Sequence, residues 1–159
     1  DGGGITLKGT TDKTITWSNT TKAWTLNQGV ALQQIMETAN VSGTALSGQA
    51  NVDILNGAVF LYTANATANW TFNVRGDSTT TFNSVVGNNT SVTVAMVCPQ
   101  GSTAYYPNVK IDGTLVTPKY VSGSPIVSGN ASSYDVYTYT IFKTASGTYT
   151  VLANQTSFA

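Results

Sequence analysis

The sequence predicts an all-β protein: an antiparallel β-sandwich, jelly-roll-like, over residues 55–159, preceded by a short β-rich arm or stem over residues 1–54. Three observations predict this. The stretch YDVYTYTIFKTASGTYTVLA, Tyr134 to Ala153, is rich in β-branched and aromatic residues on both sides of a Thr144-Ala145-Ser146-Gly147 turn. Charged residues are only 9% of the chain, and hydroxyl-rich strands suit such a surface better than helices, which usually need Glu and Lys. Short apolar runs recur along the chain with Gly, Pro, Asn and Asp between them.

The arm carries three short β signals. Ile5–Leu7 and Thr14–Trp17 flank a turn at Thr10–Lys13, and a second turn at Ser18–Lys22 leads into Ala23–Leu26. Trp17 and Trp24 flank that second turn and suit a cross-strand pair. Residues 30–41, VALQQIMETANV, predict the one helix, with Val30, Ile35, Met36 and Ala39 on one face. Residues 42–51 read as a linker.

From residue 55 the pattern becomes denser. Ala58–Thr63 is an apolar run suited to a buried strand. Trp70, Phe72 and Val74 alternate with Thr71, Asn73 and Arg75. Thr80–Val86 reads as a strand around Phe82, closed by Gly87-Asn88-Asn89. Val92, Val94, Met96 and Cys98 alternate until Pro99 stops the run. Asn108–Asp112 and Thr114–Thr117 flank Asp112-Gly113, the strongest hairpin signal in the chain. Pro118 and Pro125 mark a long loop to the closing hairpin. There Tyr149 and Val151 face one side and Thr148 and Thr150 the other, while Leu152 breaks the alternation and predicts partial cover at the end of the threonine face.

At 159 residues the chain is long enough for a core without metal or disulfide, burying roughly two-thirds of its unfolded surface. Histidine is absent, which removes the commonest general base and metal ligand. The acids Asp1, Asp12, Glu37, Asp53, Asp77, Asp112 and Asp135 are scattered, and no spacing matches a calcium loop, a zinc site or a phosphate cradle. The expectation is no catalytic residue, no metal and no cofactor. Zero formal net charge argues against a nucleic-acid partner, and no apolar run is long enough for a membrane helix. A neutral, charge-poor surface suits a subunit of a permanent assembly. The single cysteine, Cys98, ends an apolar strand and reads as a buried, inert thiol.

Arg75-Gly76-Asp77 spells a tripeptide read by some adhesion receptors, but it also makes an ordinary exit from one strand into a turn, which is the preferred account. The Asn-x-Ser/Thr triplets are read as products of composition. Of the tyrosines, Tyr105, Tyr106 and Tyr120 flank the Asp112-Gly113 hairpin and are candidates for stacking on a sugar ring. The competing and favoured account puts tyrosines in the core or at a subunit contact.

The stretches SVTVAMVCPQGSTAYYPNVKIDGTLVTPKY and SGNASSYDVYTYTIFKTASGTYTVLANQT resemble a C-terminal module of virion structural, tail-fibre-like proteins of marine tailed phages, cyanophages among them. FNVRGDSTTTFNSVVG extends the resemblance, which spans residues 55–159. Ser102–Asn108, Ile111-Asp112-Gly113 and Asp135-Val136-Tyr137 are its most specific parts. The resemblance implies a virion component located on the particle or outside the cell, with no catalytic residue to transfer. By analogy with phage fibres it implies a homo-oligomer, a trimer being the common form, alongside other virion proteins. Trp17, Trp24, Ile35 and Met36 are the expected assembly contacts, because none has a core within its own segment. The Asp1-Gly2-Gly3-Gly4 start leads us to expect a piece of a longer polypeptide. Two other readings remain open: a carbohydrate-binding receptor-recognition module, with a host surface glycan as partner, and a secreted bacterial adhesin or filament subunit.

Overall fold

Extended segments dominate the computed structural model, which describes residues 1–159. The fold is all-β, with a single one-turn α-helix. The chain divides into two units, Asp1–Met36 and Glu37–Ala159.

In the first unit β1 (Gly4–Leu7), β2 (Lys13–Ser18) and β3 (Ala23–Leu26) form an antiparallel meander. Ile5 pairs with Ile15, and Ile15 with Leu26. Trp17 lies opposite Trp24, as expected, with ring centroids 5.6 Å apart in an edge-to-face pair. The expected helix over 30–41 does not form. Those residues lack a cap and a packing partner, without which so short a helix is marginal. The end of the stretch becomes β4 (Ala39–Ser42) instead.

The expected linker is also corrected, because Gly48–Asp53 is strand β5. Both β4 and β5 pair with strands of the second unit. The division therefore falls after Met36, earlier than the expected boundary at residue 54.

The second unit continues with β6 (Val59–Tyr62), β7 (Trp70–Arg75), α1 (Phe82–Val85), β8 (Thr90–Pro99), β9 (Pro107–Ile111), β10 (Thr114–Leu115), β11 (Lys119–Tyr120), β12 (Tyr134–Ala145) and β13 (Thr148–Phe158). A four-stranded sheet has the order β10-β9-β7-β5, and a six-stranded sheet the order β11-β13-β12-β8-β6-β4. Consecutive strands from β4 to β9 alternate between the two sheets. Within each sheet the result is a parallel ladder: β4, β6 and β8 in one, and β5, β7 and β9 in the other. Parallel neighbours need a crossover, and here each crossover is a strand of the opposite sheet. The chain thus winds as a flattened coil, which corrects the expectation of wholly antiparallel pairing.

Antiparallel pairing returns where β12 joins β8 on one side and β13 on the other. The Asp112-Gly113 hairpin forms between β9 and β10. Both turn residues have positive φ, 49° and 80°, as a two-residue hairpin loop requires.

The expected strand over 80–86 is α1. Thr81 caps it, its hydroxyl accepting from Ser84 N at 3.1 Å. The Asp112 carboxylate accepts from Phe82 N and Asn83 N at 2.6 and 3.0 Å. Phe82 and Val85, three residues apart, share the inward side of the turn and are buried.

Period-two alternation sends Trp70, Phe72 and Val74 of β7 and Tyr137, Tyr139 and Ile141 of β12 into one core. Phe72 and Tyr139 stack at 4.8 Å, and Trp70 meets Tyr137 edge-on at 5.6 Å. These contacts join β7 to β12, so the two sheets face each other. Replacing Phe72 by Ala is expected to cost about 3–5 kcal/mol in urea unfolding, through lost burial and the cavity left behind. Thr156→Ala, on an exposed strand position, should change stability by less than about 0.5 kcal/mol.

Candidate functional site

The alternation that builds a core in the second unit leaves an open apolar face in the first. Ile5, Leu7, Ile15, Trp17, Trp24 and Leu26 share one side of the β1–β3 sheet, whereas Thr6, Thr14, Thr16 and Thr25 share the other. Leu7, Ile5 and Trp24 are 66%, 63% and 58% exposed. A groove of about 220 Å³ runs between Ile5, Leu7, Ile15 and Leu26, and Lys13 beside it is the one charge on that side. A unit this small lies below the size, roughly 40 residues, at which a chain usually folds without outside help. Of the expected contact residues, the structure brings Trp17 and Trp24 together on this face. Ile35 and Met36 lie outside the sheet, 74% and 90% exposed.

The two outer faces of the second unit differ in chemistry. On the four-stranded sheet the rows read Gln49–Thr71–Asn108, Asn51–Asn73–Lys110 and Asp53–Arg75. Asn51 Oδ1 accepts from Gln49 Nε2 at 3.0 Å and from Asn73 Nδ2 at 2.9 Å. Arg75 donates through Nε and Nη2 to the Asp53 carboxylate at 2.5 and 3.2 Å, which raises the guanidinium pKa further. On the six-stranded sheet the central rows are Val41–Leu61–Val97–Val136 and Ala39–Val59–Ala95. Pro99, Tyr134 and Phe158 line up at one end. One outer face carries an amide lattice; the other is aliphatic over β4, β6 and β8 and hydroxyl-rich over β12 and β13, where Thr138, Thr140 and Thr156 share the outer side. Leu152, also on this outer side between Thr140 and Lys119, is 44% exposed, so the end of the threonine face is partly covered and partly open.

The tyrosines separate. Tyr137 and Tyr139 are core residues, and Tyr149 packs edge-on against Phe82. Tyr105 is half-buried, and the Gln100 side chain holds its backbone through both N and O, at 3.0 and 2.7 Å. Tyr106 is half-buried, its N–H donating to Asn69 Oδ1 at 3.1 Å. Tyr120 is half-buried on β11 and borders a cavity of about 310 Å³ with Ile126 and Val127. Of the three sugar-stacking candidates, Tyr105 and Tyr120 pack against the core. The exposed aromatics of this unit are instead Tyr134, Phe142 and Phe158. Tyr134 and Phe158 lie opposite each other across β12 and β13, 24 residues apart in sequence. Only the strand register, which no short-range pattern reports, could have found that pair.

The buried polar groups act as braces. The Asp135 carboxylate is fully buried and accepts from Asn130 N, Asn130 Nδ2, Gln100 Nε2 and Tyr137 OH at 2.7 to 3.2 Å. A Cβ on Gly129 would fall 2.4 Å from Tyr105 O, so glycine alone lets this loop close on the next. The Lys143 ammonium is buried and donates to the Asn83 and Val86 carbonyls at the end of α1. Both ends of Arg75-Gly76-Asp77 are engaged within the chain: Arg75 by Asp53, and Asp77 by Thr79 N and Oγ1 at 2.7 and 2.9 Å. No three His, Cys, Asp or Glu side chains are grouped to hold a metal ion, and no helix is long and apolar enough to cross a membrane. Searches of protein-family models, curated proteins and solved structures gave no match.

Burial, with Asp135 nearby, pushes the Cys98 thiol up to about 12. Cys98 is therefore expected to resist alkylation in the native protein at pH 8 and to react at once in denaturant, read by mass shift. Burial likewise raises Tyr137, helped by the Asp135 charge, and Tyr139 well above their ordinary 10.0. The stability they contribute is complete below about pH 10 and declines as pH rises further. In a spectrophotometric titration at 295 nm, Tyr137 and Tyr139 should ionise only as the fold is lost.

Proposed function

We propose that the protein is a non-enzymatic structural component of a tailed-phage particle, fibre-like or capsid-decorating. It assembles with copies of itself and with other virion proteins, on the particle or outside the cell. The observation that carries this reading is the one-sided β1–β3 sheet. Its open side chains amount to roughly 500 Å² of apolar surface, near the upper range for a free monomer. Two such faces laid together bury ~1,000 Å², the size at which a specific interface begins. With a single lysine beside it, the face offers no charge pattern for an ionic partner, and a second copy of the same flat face is its best complement. The aliphatic outer face of the six-stranded sheet is a second contact surface, whereas the amide-covered face suits water.

The resemblance over residues 55–159 supports the phage assignment. The two facing sheets are read as a β-sandwich, although the coiled parallel ladders depart from a jelly-roll winding. Trimeric assembly remains the analogy with phage fibres.

Sedimentation equilibrium tests the proposal. The full chain should associate with a dissociation constant in the micromolar range or tighter. The pair Ile5→Ser and Trp24→Ser should weaken that association at least about tenfold and leave the unfolding midpoint of the second unit unchanged. A monomer at about 100 μM, or absence of the chain from purified virions by mass spectrometry, would count against the reading.

A further inference from the structure

Tyr134 and Phe158 stand over a cleft of about 490 Å³ at one end of the second unit. Its walls are the loop after β6, at Asn65, the loop after β8, at Ser102, and the turn before β12, at Ser132. Backbone bonds tie these three segments together. Ala66 N donates to Pro99 O at 3.0 Å, Ser132 N to Gly101 O at 2.8 Å, and Gln100 N to Ser133 O at 2.8 Å. The buried Asp135 brace holds the same turn from behind through Asn130. The cleft is therefore preformed, which lowers the ordering cost of binding.

Its chemistry is specific. No Asp, Glu, Lys or Arg lines it. Two aromatic rings, 51% and 59% exposed, meet solvent at its edge. The side chains of Asn65, Ser102, Ser132 and Tyr134 make no hydrogen bond within the protein, in contrast to Ser133, which bonds Asn130 O and Ser157. Ser132 is held at φ 55°, a left-handed conformation that costs a non-glycine residue energy. Exposed rings beside unpaired amide and hydroxyl groups, with no charged side chain among the lining, match a ligand with an apolar C–H face and a rim of neutral hydroxyls. The cavity beside Tyr120 has no such pair of exposed rings.

We propose that this cleft binds a neutral sugar residue, stacked on Tyr134 and Phe158 and hydrogen-bonded by Asn65, Ser102 and Ser132. The site differs from the Tyr105, Tyr106 and Tyr120 grouping suggested by sequence, and it does not depend on self-assembly.

Saturation-transfer NMR of the full chain tests this with methyl glucoside, methyl mannoside, methyl galactoside and their neutral oligomers, with sialic and glucuronic acids as comparators. At least one neutral sugar should receive saturation on its C–H face, with a dissociation constant in the millimolar range or tighter. Tyr134→Ala and Phe158→Ala should each weaken it about tenfold, and Asn65→Ala several-fold, whereas Tyr120→Ala should leave it unchanged. Tyr134→Phe should keep most of the binding, which separates stacking from loss of fold. Unchanged melting of each alanine variant completes that control. The proposal is overturned if no neutral sugar binds at about 20 mM, if only the acidic sugars bind, or if the Tyr134 and Phe158 variants bind normally. Sedimentation of the same samples reports assembly separately, so failure of one reading leaves the other standing.

Discussion

The pairing of β8 with β12 is the joint on which the second unit depends. On its far side β8 runs parallel to β6 and closes the coil of alternating strands. On its near side it is antiparallel to β12 through ten consecutive pairs, from Tyr134 opposite Pro99 to Lys143 opposite Thr90. Without that ladder the coil would end in an unpaired edge, and the closing hairpin would have no sheet to join. The same register aims Tyr137, Tyr139 and Ile141 at the four-stranded sheet, where Trp70 and Phe72 meet them. A one-residue slip of β12 would turn Tyr137, Tyr139 and Ile141 to the outer face and away from Trp70 and Phe72.

Around that joint, the few ionisable side chains of the second unit hold loops in place. Asp135 binds the 130 turn and the loop after β8, Lys143 binds the end of α1, Asp112 binds its start, and Asp53 binds Arg75. Each would be costly if buried without partners, and each has them. This explains how a chain with so little charge uses some of it inside. It also explains why the surface is left to hydroxyls, amides and open apolar faces.

Those faces give the molecule its direction. The amide lattice over β5 and β7 bonds to itself, whereas the β1–β3 face is open within its own unit and the aliphatic rows over β4, β6 and β8 are only partly buried, with Val41 at their edge 64% exposed. Apolar surface of that extent is stabilised by contact with something else. Tyr134 and Phe158 belong to the same outer surface. They border the aliphatic row at Val136 on one side and the polar side chains of Asn65, Ser102 and Ser132 on the other.

Local chemistry alone determined the all-β class, the Trp17–Trp24 pair, the Asp112-Gly113 hairpin, the closing hairpin and the buried thiol. Each depends on period-two alternation or on the φ preference of a residue or two. It misjudged 30–41, 42–51 and 80–86, where neighbours decide: β6 recruits Ala39–Ser42 and β7 recruits Gly48–Asp53 as strands, and Asp112 caps Phe82–Val85 as a helix. Tertiary structure alone decided that β4 to β9 wind between two sheets and that Phe158 faces Tyr134. The reason is physical: a strand carries the same donors and acceptors on both edges whichever neighbour it takes. Its partner is chosen by which faces can share one core across the whole chain.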